Sequence, residues 1–134
     1  MKKEIKGVLV NAQEIKPYSF EYEEDKNGKT TFLPNMYALL NCDCIDIATR
    51  MFGDYALDIV CDDEGLFKEN NFVSILTFSG QELVEQIVGN VFICKANDEG
   101  ESISLTDEEI AEVMCSIGRV NLNGETTKVL VARV

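Results

Sequence analysis

The run Cys44-Ile45-Asp46-Ile47-Ala48-Thr49-Arg50-Met51-Phe52-Gly53-Asp54-Tyr55-Ala56-Leu57-Asp58-Ile59-Val60-Cys61 decides the fold. Ile45, Ile47, Thr49 and Met51 alternate with Cys44, Asp46, Ala48 and Arg50, the period of two that sends successive side chains to opposite faces of a strand. Residues 55–61 alternate in the same way, and Gly53-Asp54 lies between the two runs as a tight reversal. A β-hairpin is expected here.

Upstream, Glu4 to Val10 reads as a strand. Its contiguous Val8, Leu9 and Val10 imply cover on both faces. Tyr18, Phe20 and Tyr22 share one face of a second strand, Tyr18–Glu23. Asp25-Lys26-Asn27-Gly28 supplies a turn into a strand from Lys29 to Leu33, which Pro34 ends. Asn35 is placed to cap a short helix through Leu40, with Met36, Leu39 and Leu40 as its apolar face.

Downstream, Asp62-Asp63-Glu64-Gly65 has turn composition, with Gly65 expected at positive φ, and Phe67 restarts the core. Ser79 and Glu82 have capping-box spacing, flanked by Phe78 and Leu83, and predict a short helix or loop that Gly89 stops. Val91 to Lys95 is a compact strand, followed by an Asn97-Asp98-Glu99-Gly100 turn. Thr106 and Glu109 form the best capping box in the chain. Ile110, Val113, Met114 and Ile117 recur at helical spacing, so a helix is predicted from Asp107 to Ile117, ended by Gly118. Val120-Asn121-Leu122, Asn123-Gly124 and Thr127 to Val134 read as a closing hairpin with a buried last strand. The fold class is α+β: a mixed or mostly antiparallel sheet built from hairpins, one clear helix at about 107–117, and one or two short helices.

A chain of 134 residues with 46% apolar and 27% charged side chains is enough for one domain, residues 1–134, with its own core. Cys42, Cys44, Cys61, Cys94 and Cys115 are odd in number and lie in apolar stretches, which suggests buried thiols in a reducing cytosol rather than a disulfide scaffold. The apolar run near the start is only Val8 to Val10, too short for an export signal, and nothing approaches a membrane span. A cytoplasmic location is expected.

The net charge is −12. Residues 41–118 hold 17 acidic and 3 basic side chains, a net of −14, whereas the flanks hold 7 and 9, a net of +2. Such a field disfavours direct, non-specific binding to nucleic acid or anionic membrane but does not disfavour a basic partner.

The sequence contains no histidine, which removes the commonest general base and the commonest zinc nitrogen ligand. Neither familiar phosphate-cradling glycine motif is present. Cys42-x-Cys44 falls short of a four-ligand metal site and reads as packing at a helix-to-strand junction. No catalytic residue, metal or cofactor is assigned. Asp46, Asp62, Asp63 and Glu64 are the candidate ligand-binding carboxylates, set against the simpler reading of a solvated turn. Asp98, Glu99, Glu101, Asp107, Glu108, Glu109 and Glu112 form an acidic run with no intervening base. Glu101, Glu108 and Glu112 are its candidate partner-binding surface, and Asp107, Glu108 and Glu109 also suit the first turn of a helix.

The stretch from Tyr37 to Lys68, with Ile45-Asp46-Ile47, the Asp62 to Leu66 turn and the later Val88-Gly89-Asn90-x-x-Ile93 strand, resembles the small bacterial and phage domain of unknown function numbered 3846. The resemblance spans about residues 37–95 and departs from the family pattern at Glu69-Asn70-Asn71-Phe72, where a proline and an asparagine are expected. It implies a setting in phages and mobile elements of gut Firmicutes and brings no activity, cofactor or catalytic residue with it. Three functions follow as expectations: a non-catalytic accessory protein that binds a protein partner, an anti-defence inhibitor that imitates DNA through its acidic run, or a small-ligand binder or minor enzyme using the carboxylates. Exposed hairpin edges also allow a homodimer.

Overall fold

The alternating run folds as expected: strands β3 (Ile45–Phe52) and β4 (Tyr55–Asp62) pair antiparallel from Ile45↔Asp62 to Phe52↔Tyr55. Gly53 has φ +60, the left-handed value that the first central residue of a type II′ turn requires. The computed structural model of the protein describes residues 1–65, 68, 71–122 and 124–134. The expected return of the core at Phe67, and Asn123 of the closing turn, lie outside the described residues.

Around the hairpin lie β1 (Lys2–Val10), β2 (Ile15–Glu23), helix α1 (Phe32–Leu40), β5 (Val73–Ser79), β6 (Glu82–Val88), β7 (Val91–Ala96), β8 (Ser102–Ile103), helix α2 (Asp107–Cys115), β9 (Ile117–Leu122) and β10 (Glu125–Arg133). Among the described residues the chain is mostly sheet with two helices. The strands run β2-β1-β7-β4-β3-β10-β5-β6, with β8 beside β7 and β9 beside β10, and the sheet is mixed because β10 and β5 are parallel.

The contiguous apolar run in β1 is explained by two cores, one on each face of the sheet. Val8 and Val10 join Phe52, Leu57, Ile59, Ile93, Leu130 and α2 on one face. Ile5 and Leu9 join Phe20, Phe92 and α1 on the other. The sheet curls around the first core, since β4 and β6 touch although three strands separate them in the order. Tyr18, Phe20 and Tyr22 form the expected aromatic face beneath α1, with Phe20 5.3 Å from Phe32 between ring centroids.

The capping box of α2 is formed in both directions: the Glu109 amide donates to the Thr106 hydroxyl at 3.1 Å, and the Thr106 amide donates to the Glu109 carboxylate at 2.7 Å. Lys95 adds an ion pair at 2.9 Å. Burial pushes the Glu109 carboxyl up, but the hydrogen bonds from Thr106 and Lys95 and the lysine charge outweigh it, and its pKa is lowered. A lowered folded-state pKa means that Glu109 stabilises the fold above the ordinary carboxylate range and loses that contribution as pH falls through the folded value. Glu109→Gln is therefore expected to cost about 1 kcal/mol at pH 7. The gap to wild type should narrow as pH falls through and below the ordinary carboxylate range, as read by urea unfolding across pH.

Several expectations are corrected. Lys29–Leu33 is not a strand: Thr30 makes one bridge to Glu24, and α1 begins at Phe32. Pro34 sits in the first helical turn, where a missing N–H leaves no intrahelical bond unmade. Thr31, not Asn35, holds the N-cap position, and the Asn35 side chain donates instead to the Glu21 carbonyl at 3.1 Å, tying α1 to β2. Ser79 does not start a helix. It ends β5, and Gly80 at φ +62 reverses the chain into β6, so that Phe78 and Leu83 face each other across a hairpin. The strand β5 itself was not assigned from the sequence.

Helix α2 stops at Cys115, two residues early. The Val131 amide donates to the Ser116 carbonyl at 2.9 Å and draws the chain into β9, so Gly118 is a strand residue opposite Val129. Gly65 does not have positive φ; a Cβ there would come within 2.5 Å of the Val88 carbonyl oxygen, and close approach is what requires glycine. Of the five thiols only Cys42 and Cys94 are buried, while Cys44 and Cys115 are exposed.

Candidate binding surface

The four candidate carboxylates do not converge. Register pairs Asp46 with Cys61 and Ile45 with Asp62, which puts Asp46 and Asp62 on opposite faces of the hairpin. The Asp46 carboxylate accepts the Ile47 amide at 2.9 Å, and the Cys61 thiol donates to the Asp46 carbonyl at 3.5 Å. Burial, followed by the Asp46 charge, pushes that thiol up to about 11, which keeps it protonated and unreactive.

Asp62 is nearly buried, accepts the Glu64 amide at 2.9 Å and is ion-paired to Lys68. Asp63 and Glu64 lie in the turn beside it, with the Asp63 amide on the Cys44 carbonyl at 3.1 Å. Asp62 lines a cleft of about 310 Å³ with Leu40, Asn41, Lys68, Asn71 and Asn90. Its polar groups are engaged by the cleft wall: Asn71 donates to the Gly65 carbonyl at 3.0 Å, Asn90 to the Leu40 carbonyl at 3.3 Å, and Lys68 to the Asn41 carbonyl at 3.2 Å. Among the described residues, no three His, Cys, Asp or Glu side chains are grouped to hold a metal ion.

All three basic side chains of residues 41–118 are spent on carboxylates of the same segment: Arg50 on Glu85 in a two-point pair at 2.7 and 3.2 Å, Lys68 on Asp62, and Lys95 on Glu109. The other described acids of the segment make no salt bridge among the described residues.

The structure also divides the acidic run. Glu109 turns inward. Asp98, Glu99 and Glu101 belong to the turn after β7, where the Asn97 side chain accepts the Glu99 and Glu101 amides, and Glu101 lies near Phe32 and Leu33. Glu108 and Glu112 meet at the tip of the β3–β4 hairpin: the Glu112 carboxylate occupies the place a Cβ on Gly53 would take. Burial and the charges of Glu108, Glu109 and Glu112 together raise the Tyr55 phenol above its ordinary value.

Sequence reasoning missed the feature of the surface that differs most from solvated turns. Helix α1 covers the β2-β1-β7-β4 half of one sheet face, and the β3-β10-β5-β6 half continues that face without a helix over it among the described residues. Register lines up Met51, Arg133, Phe78 and Leu83 across four strands, with Val131, Leu76 and Gln86 in the adjoining row. Ile47 lies further along β3. Leu83 is 43%, Val131 36% and Ile47 49% exposed, and Met51 and Phe78 are half-buried. The one charged side chain in the two rows is Arg133, which donates to the Gly53 carbonyl. The available signal was the contiguous Val129-Leu130-Val131-Ala132, too apolar for a strand with one wet face.

No helix among the described residues is long and apolar enough to cross a membrane. Comparison with curated proteins and with solved structures finds no match. A family profile described as Domain of unknown function (DUF3846) matches residues 5–117, from β1 to the first residue of β9. With most of its length matched, and with the strand and turn motifs of residues 37–95 inside that match, the chain belongs to the DUF3846 family.

Proposed function

We propose that this protein is a non-catalytic accessory protein of a phage or mobile element that binds a basic protein partner on the uncovered sheet face. The observation that supports this reading is the apolar row of half-buried Met51 and Phe78 and exposed Leu83, with exposed Val131 beside it, on a chain of net charge −12. A contiguous apolar patch on a soluble protein loses hydration free energy unless something covers it, and such patches mark interaction sites. The surrounding charge selects the partner. Acidic residues unneutralised by local bases steer a basic protein toward the face and repel acidic ones, while the apolar row supplies the burial that holds it. The carboxylates favour a binding role over catalysis because they do not converge, and Asp46 and Asp62 each hold an amide of their own strand or turn.

The test uses the exposed residues, which are replaceable without emptying the core. Wild type and the double variant Val131→Ser, Leu83→Ser are immobilised and exposed to host-cell lysate. The wild type should retain a basic protein whose recovery falls about tenfold with the variant, given the usual weight of a few apolar anchors. Equal recovery by two chains of matching Tm would overturn the proposal.

A further inference from the structure

We infer that the free edge of β3, residues 45–49, accepts an extended segment of the partner as an added strand, and that this segment alternates apolar and basic side chains. The inference rests on the binding reading above and specifies its geometry. Residues 45–50 of β3 pair with β4 on one side, and among the described residues the other side is paired only at Met51↔Arg133. Met51, Thr49 and Ile47 share one parity along the strand, so their backbone groups point to the same edge. Side-chain contacts agree: the Ile47 N–H donates to Asp46 Oδ1 at 2.9 Å, and the Thr49 carbonyl accepts Arg50 Nη1 at 2.8 Å. Both backbone groups are therefore held by exposed or half-exposed side chains of adjacent residues rather than by a strand. This is a blunted edge that another backbone can take over by displacing local contacts.

The two faces of the edge specify the occupant. On one face an incoming strand would lie beside Ile47, 49% exposed and next to the apolar rows, which favours apolar side chains. On the other it would lie beside Asp46 and Ala48, because Asp46, Ala48 and Arg50 share that face and Arg50 is already neutralised by Glu85. The unmatched charge is the carboxylate of Asp46, which favours a basic side chain at the alternate positions.

The probe is a synthetic, doubly capped peptide, Val-Lys-Val-Lys-Val-Lys-Val, titrated into the full chain at 150 mM salt and followed by amide NMR. The expected result is shifts concentrated on residues 45–49 and exchange of the Ile47 and Thr49 amides slowed about tenfold. Ile47→Pro removes an outward N–H and no β4 ladder bond, so it should fold and lose the peptide. Asp46→Lys, at an exposed site, should weaken the peptide about fivefold and strengthen its glutamate counterpart. Shifts spread over the acidic surface, or full binding by Asp46→Lys, would overturn the inference. The lysate experiment separates the two levels: a partner lost by Val131→Ser, Leu83→Ser but kept by Asp46→Lys leaves the face reading standing and removes strand addition. A partner indifferent to all variants removes both.

Discussion

A chain cut after Ile117, where the family match ends, is expected to have no cooperative fold. Strand β10 is not a terminal embellishment. It lies between β3 and β5 in the sheet and is the only strand that joins the β5–β6 hairpin to the rest of the strand order among the described residues. Leu130 and Val129 are fully buried and Ala132 nearly so, with Leu130 and Ala132 inside the core that also holds Phe52, Ile75 and Val113. Removing these side chains forfeits roughly 4–6 kcal/mol of apolar burial, comparable with the whole stability of a typical domain. The cut also strands the β5 backbone, whose parallel ladder runs from Leu130↔Ile75 to Arg133↔Phe78. The measurement is thermal unfolding by circular dichroism with amide NMR on residues 1–117. The full chain should show a sharp transition and dispersed amides, the cut chain neither. A cooperative transition in the cut chain would mean that β10 is dispensable and that the matched region is a complete domain.

That dependence was invisible along the chain, although most local structure was not. Local signals act over a few residues and are strong where the side chain itself makes the contact. Asp25, Asn97 and the Thr106–Glu109 pair each bond amides two to four positions away, and each sits where composition placed a turn or helix start. The failures are places where a distant partner decided the outcome. Ser79 and Glu82 have the spacing of a capping box, but β10 offers β5 a parallel ladder and β6 folds back on β5. The helix before Gly118 stops early because the Ser116 carbonyl is claimed by Val131. The candidate site was legible to the same degree. Asp46 and Asp62 are conspicuous as carboxylates, yet strand parity sends them to opposite faces. The apolar face was concealed because Val131 reads as core between Leu130 and Ala132, and only the sheet order shows that α1 does not reach over its side.

The glycine at position 7 carries the second large effect. Gly7 is not in a left-handed conformation; it lies within β1, opposite Tyr18 of β2 and one residue before Val8, which pairs with Ile93 of β7. A Cβ at this position would overlap the Ile93 carbonyl oxygen and approach Phe92 Cζ to 2.8 Å. The carbonyl belongs to a backbone held between β1 and β4, so it cannot swing aside as a side-chain tip would. Phe92 is wholly buried among Phe20, Tyr18 and Met36, so it has no empty space to enter. Gly7→Ala is expected to destabilise by about 3 kcal/mol, the upper part of the range for overpacking, and to lower Tm by roughly 10 °C. A glycine inside a strand normally gains from alanine, which restricts the unfolded chain and favours extended backbone, so the sign itself is diagnostic. Trimming the ring with Phe92→Leu should rescue little, since the carbonyl contact remains. If Gly7→Ala proves neutral, or if Phe92→Leu restores full stability, the close β1–β7 crossing is not what fixes glycine there.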